Sequence, residues 1–169
     1  MRDQQQLLIP QPASRIPYHA TRITHPASRN PHPVSEVLIM PKQKPEIKIE
    51  SCGLYTPLEK EGKDLPKLVR FTEEIPCELG VEFGYILHIK KARGMKLTFQ
   101  IDHPPFFRDG EIDPPFTGEE YVRSNDWKFF LGDTTWEPIE DKAGPWRIRS
   151  WIDGDLIADR TLTLISPNP

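Results

Sequence analysis

Two alternating runs joined by Asp153-Gly154 constrain the fold of this chain more than any other feature. Trp146, Ile148, Ser150 and Ile152 alternate with Arg147, Arg149 and Trp151, the period of two that belongs to a strand with one buried face. Asp-Gly between such runs supplies two residues that accept positive φ, as a type I′ hairpin turn requires. The returning run places Leu156, Ala158, Leu162 and Leu164 on one parity and Asp155, Asp159, Thr161 and Thr163 on the other, with Ile157 and Arg160 out of pattern. Gly144-Pro145 opens the first strand and Ser166-Pro167-Asn168-Pro169 stops the second, because proline brings no N–H to a ladder. The pair reads as the closing hairpin of an antiparallel β domain with Trp146 at its core centre. A buried indole removes a large apolar area from water and needs one partner for its N–H. The competing role for Trp146 is a stacking platform for a ligand.

The same period recurs upstream. Ile47 and Ile49 begin a first strand that runs to Leu54 and Tyr55, and charged residues 56–67 form a loop. A second strand spans Leu68 to Ile75, with Val69, Phe71 and Ile75 on one parity, and stops at Pro76. After a turn at Glu78-Leu79-Gly80, Phe83, Tyr85, Leu87 and Ile89 mark a third. Met95, Leu97, Phe99 and Ile101 mark a fourth, whose clean alternation predicts a solvated face. Four prolines keep residues 103–125 from forming a central strand or a helix, so they read as a long connection. Trp127–Leu131 predicts a short fifth strand, Gly132-Asp133 a turn, and Thr135–Ile139 a sixth strand. Short strands with turn signals between them predict an all-β chain, an antiparallel β-sandwich of immunoglobulin-like shape, over residues 46–169. Cys52 and Cys77 both precede every tryptophan, so the Cys…Trp…Cys order of antibody domains is absent.

Residues 1–45 differ in kind. They hold eight of the 19 prolines and six basic residues against two acids, a charge of +4 that leaves −7 on the remainder. No periodicity runs through them, and the composition predicts a disordered Pro-rich basic tail. Pro12-Ala13-Ser14-Arg15-Ile16-Pro17 is echoed by Pro26-Ala27-Ser28-Arg29-Asn30-Pro31, either a docking motif or low-complexity sequence. Met40, just ahead of the periodic sequence, is a candidate natural initiator, which would make 1–39 a mis-called extension. The acidic remainder argues against nucleic-acid binding. No apolar run reaches membrane-spanning length and none forms a signal-peptide core, so no membrane insertion and a cytoplasmic location are expected. In that compartment the two cysteines are expected to be reduced and buried.

Six short segments, in this order, resemble a known family: Ser51-Cys52-Gly53-Leu54-Tyr55; Thr72-Glu73-Glu74-Ile75-Pro76 with Leu79-Gly80-Val81-Glu82-Phe83-Gly84; His103-Pro104-Pro105; Pro115-Phe116-Thr117-Gly118; Trp136-Glu137; and Gly144-Pro145-Trp146-Arg147-Ile148. They resemble the bacterial family catalogued as domain of unknown function 3859, over about residues 46–165. The resemblance implies a β-sandwich and no established activity, and it carries over no catalytic residues. Pro145 departs from the polar residue expected there.

No constellation of residues points to a reaction. His103 beside Asp102 suggests a general base, but neighbours on a strand point to opposite faces, so Asp102 would not orient it. Asp109, Glu111, Asp113 and Glu120 match an EF-hand count until position six, where Pro114 stands in place of glycine. No catalytic residue, metal or cofactor is therefore expected. The aromatics of the long connection are unusual; at least two should pack back on the domain and the rest should face a partner. Candidate binding residues are His103, Phe106, Phe107 and Phe116 in that loop, and Arg147, Arg149 and Trp151 on the outer face of the closing hairpin. The expected function is a protein-binding module, not an enzyme, with another protein as partner and homodimerisation through sheet edges as a further option. The alternatives are a carbohydrate- or small-ligand-binding sandwich using exposed Trp127 or Trp151, and a small hydrolase using His103.

Overall fold

The computed structural model describes residues 44–58 and 64–166. The tail, its repeat and Met40 lie outside the described residues, apart from Lys44 and Pro45, which lead into the first strand. Every helix or strand among the described residues is a strand. One sheet comprises β1 (Glu46–Tyr55), β2 (Leu68–Phe71), β4 (Glu82–Lys90) and β9 (Asp126–Thr134), in the order β2-β1-β4-β9. The other comprises β3 (Glu74–Pro76), β5 (Lys96–Asp102), β8 (Phe116–Tyr121), β10 (Gly144–Ile152) and β11 (Asp155–Ile165), in the order β3-β11-β10-β5-β8. A separate hairpin pairs β6 (Phe107–Arg108) with β7 (Glu111–Ile112). Pairing is antiparallel except between β11 and β3.

The two sheets close on one apolar core. Inward residues of β4 (Phe83, Tyr85, Leu87, Ile89), of β5 (Leu97, Ile101), of β10 (Trp146, Ile148, Ile152) and of β11 (Leu162, Leu164) are buried together. The closing hairpin forms as its alternation requires, turning at Asp153 (φ 47) and Gly154 (φ 93). A register shift between Ser150 and Trp151 alters the pairing near that turn, and Leu156 is left exposed. One polar link crosses the core: the Tyr85 and Ser150 hydroxyls are hydrogen-bonded at 2.8 Å, which satisfies two groups that burial would otherwise leave unpaired. Cys52 and Cys77 are buried and unpaired, and burial pushes the Cys52 thiol up to about 11.

Four strand assignments from the sequence are corrected. Residues 68–75 are two strands in different sheets, β2 and β3, with the crossing at Thr72-Glu73. Thr72 Oγ1 accepts the Glu74 N–H (3.1 Å) at the crossing, so Ile75 enters the core while Phe71 is 74 % exposed. Gly132-Asp133 is not a turn; β9 runs through it to Thr134. Residues 116–121 form a strand within the supposed connection, and it is an edge strand, where Pro114 and Pro115 just before it interrupt no ladder. Thr135–Ile139 is not a strand: Thr135 Oγ1 accepts the Val81 N–H (2.9 Å), and the chain then leaves the sheet. The outer face of β5 is less solvated than predicted, since Thr98 and Gln100 are half-buried between β8 and β10.

Gly84 holds the centre of the first sheet, paired with Gly53 on one side and Gly132 on the other. Its φ is +154°, and a Cβ there would stand 2.3 Å from the Leu131 carbonyl oxygen. Gly84→Ala is expected to destabilise the domain by about 1–3 kcal/mol through strain and forced separation of β4 and β9. Urea unfolding measures this, and an unchanged midpoint would mean that the strands yield without cost.

Candidate docking surface

Immediately after β5 the chain enters residues 103–115, a loop organised by His103. The His103 ring stacks on Phe106 (centroids 4.2 Å) and lies 4.6 Å from Phe116 and 5.5 Å from Trp146. Its Nδ1 is 2.9 Å from the Pro104 carbonyl oxygen and its Nε2 is 3.0 Å from that of Pro114. The His103 ring thus spans the two ends of the loop, and both of its nitrogens face backbone carbonyls rather than a carboxylate or nucleophile. Asp102 is engaged elsewhere, accepting from Gln100 (2.6 Å) and Arg149 (2.5 Å). The general-base arrangement therefore does not form in this structure.

Phe106 is 4 % exposed and belongs to the core, so it is not available to a partner. Its ring meets Trp136 edge-on at 5.7 Å, and the Lys142 ammonium sits 4.4 Å above it and 4.7 Å from the Trp136 ring. Lys142 is buried almost completely, held by the Pro138 carbonyl (3.1 Å) and the Asp141 carboxylate. Two aromatic faces and two oxygens compensate a charge that is costly to bury alone. The Lys142 carbonyl in turn accepts the Trp146 indole N–H at 2.9 Å. Asp133 faces inward nearby on β9, accepts the Thr134 N–H (2.8 Å), and is pushed up to about 6 by burial. Trp136, Lys142 and Asp133 escaped sequence reasoning. Lys142 lies in a charged, glycine-flanked stretch with the composition of a solvated turn, and Asp133 sits beside a glycine that mimics one.

The β6–β7 hairpin stands on this base. Phe107 and Ile112 are direct cross-strand partners and remain 68 % and 59 % exposed. Arg108 lies 2.9 Å from the Asp113 carboxylate, and Asp109-Gly110 makes the turn with positive φ at both residues. The acids of the failed EF-hand count also lie apart: Asp109 is in the turn, Asp113 is on Arg108, and Glu120 is within 3.5 Å of Arg123. Among the described residues no group of carboxylates, histidines or cysteines has the geometry of a metal site. Phe116 packs inward beside Phe106 (6.2 Å), so the loop divides its large apolar side chains between an anchor of Phe106 and Phe116 and a tip of Phe107 and Ile112.

The second candidate surface is already paired within itself. Arg147 donates to both oxygens of Asp159 (2.9 and 2.6 Å), and its guanidinium holds that carboxyl below the usual range. Arg149 pairs with Asp102 and lies 5.5 Å from the Trp151 ring, covering one side of it. Trp127 is not an exposed platform either; it is half-buried and stacked on Phe129 at 5.1 Å.

Comparison with known proteins agrees with this architecture. The model of the family described as "Domain of unknown function (DUF3859)" matches residues 43–164. The fold is similar to that of an immunoglobulin-like protein from Pseudomonas aeruginosa, with a TM-score of 0.57 and 21 % identity over 71 % of this chain and 97 % of that one. Comparison with curated proteins found no match.

Proposed function

Since this chain belongs to the family described as a domain of unknown function (DUF3859), with an immunoglobulin-like β-sandwich fold, we propose that it is a protein-binding module whose contact is the β6–β7 hairpin. The observation that carries the reading is the cross-strand pair Phe107 and Ile112, two large apolar side chains left in solvent on a hairpin whose base is locked into the core. Exposed apolar side chains on a loop fixed by a rigid scaffold suit recognition, because little ordering entropy remains to be lost on binding. The partner has an apolar pocket with a basic rim, since Asp109 and Glu111 beside the pair make no ion pair among the described residues, whereas Asp113 is held by Arg108. A hydrolase reading loses support because both His103 nitrogens face backbone carbonyls. A glycan reading loses support because Trp127 and Trp151 are already covered in part.

The test is affinity capture from the native host with the full chain as bait, against the double variant Phe107→Ser/Ile112→Ser. Thermal stability of the variant is expected to stay within about 0.5 kcal/mol of the parent, since neither side chain is in the core. A partner captured by the parent and lost by the variant supports the hairpin as the contact. A partner retained equally by both removes it.

A further inference from the structure

We propose that two copies of this chain join edge to edge through β9, merging their four-stranded sheets across a two-fold axis centred on Phe130. Among the described residues the two larger sheets have four edges, which differ in how they are protected. β2 and β3 are only four and three residues long. β8 follows Pro114-Pro115 and carries Glu119 and Glu120 beside its midpoint, so a second copy would meet like charge there. β9 has nine residues, no proline and no register shift against β4. A long, regular, unguarded edge is a template for another strand.

The hydrogen-bond pattern says which groups are free. Just outside β9, the Lys91 N–H donates to the Asn125 carbonyl and the Thr135 N–H to that of Val81, both at 3.0 Å. Bonded and non-bonded pairs alternate along an antiparallel ladder, so the odd-numbered residues of β9 bond β4 and the even-numbered ones face outward. Two outward residues are partly occupied at the strand's ends: Ser124 Oγ donates to the Asp126 carbonyl (2.7 Å), and the Thr134 N–H donates to Asp133 Oδ1 (2.8 Å). Lys128, Phe130 and Gly132 remain, with no strand alongside them among the described residues. The lysine that would guard such an edge does not: its ammonium turns back across the sheet to Glu50 on β1, at 2.7 Å.

A second copy fits these three residues by symmetry. In the antiparallel register centred on Phe130, Lys128 faces Gly132 of the second copy, Phe130 faces Phe130, and Gly132 faces Lys128. Each is a bonded pair that exchanges two hydrogen bonds, and every one uses the outward groups. No like charges oppose one another: Asp126 meets Thr134, and Asp133 meets Trp127. Opposite Lys128 stands a glycine, which brings no side chain of its own against it. Of the other registers centred on an outward residue, that on Lys128 opposes two lysines and that on Gly132 leaves Lys128 beyond the paired strand.

Sedimentation velocity on the full chain over a concentration series tests this, together with hydrogen exchange at single-residue resolution. The expected limiting species has twice the 19.5 kDa chain mass. The amides of Lys128, Phe130 and Gly132 are expected to gain protection as concentration rises. Phe130→Glu opposes two carboxylates across the axis and should sediment as a monomer at concentrations where the parent is a dimer. Lys128→Pro removes an outward N–H that β4 does not use and should do the same, which covers the case in which the first variant fails to fold. A parent that stays monomeric at every concentration overturns the proposal, even if those amides are protected by another part of the chain. So does a dimer in which the three amides exchange freely, or one unchanged in a folded variant.

Discussion

Trp146→Ala is expected to destabilise the domain by about 3–5 kcal/mol, the range for truncating a large buried aromatic. Trp146 is fully buried, meets Phe83 edge-on at 5.3 Å and Trp136 at 6.1 Å, and lies 5.5 Å from His103. It therefore touches the core of the sandwich and the anchor of the hairpin loop at once. Its N–H bond to the Lys142 carbonyl extends the same contact to residues 136–143. The substitution leaves a cavity bounded by both sheets, which neither can close without moving strands that are paired on both sides. Chemical denaturation gives the loss directly. A loss below about 1 kcal/mol would mean that the loop collapses into the space, and that His103 and Phe106 are held by something other than this indole.

Asp133→Asn is expected to stabilise the protein above neutrality and to make little difference in acid. Burial raises the Asp133 carboxyl from an ordinary 3.8 to about 6, so the folded state holds its proton more tightly than the unfolded chain. For an acid raised in this way the contribution is least unfavourable below 3.8, worsens as pH climbs to about 6, and is constant above that. The gap corresponds to on the order of 3 kcal/mol against folding at pH 7 and above. Asparagine keeps an oxygen for the Thr134 N–H and carries no charge. The stability difference between variant and parent should therefore grow from near zero at about pH 3.5 to its full value by about pH 7. Thermal unfolding across that range measures it, and a difference that does not vary with pH would remove burial of the charge as the cause.

The residues that were legible in the sequence are those whose environment is fixed by their own strand. Trp146 could be placed at the core centre because it heads a run whose parity is unbroken to Ile152 and whose partner is attached by a two-residue turn. The same holds for Phe83, Tyr85, Leu87 and Ile89, all of them fully buried. The division of the loop aromatics was legible in number but not in identity. Phe106 and Phe107 are adjacent and alike in chemistry, yet one is 4 % and the other 68 % exposed. Nothing local distinguishes them; the distinction comes from Lys142 and Trp136, some thirty residues onward, which take only one of the two rings.

Period-two alternation and the Asp153-Gly154 turn, by themselves, determined an all-β chain, its closing hairpin and the inward faces of β4, β5 and β10. They could do so because side-chain direction along a strand repeats every two residues whatever lies beyond it. Only the tertiary structure decided that residues 68–75 divide between two sheets, that 116–121 is an edge, that Lys142 is buried over Phe106, and that β9 has no strand on its outer side among the described residues. Each of these depends on which distant segment arrives alongside, a contact between parts of the chain that no local periodicity records.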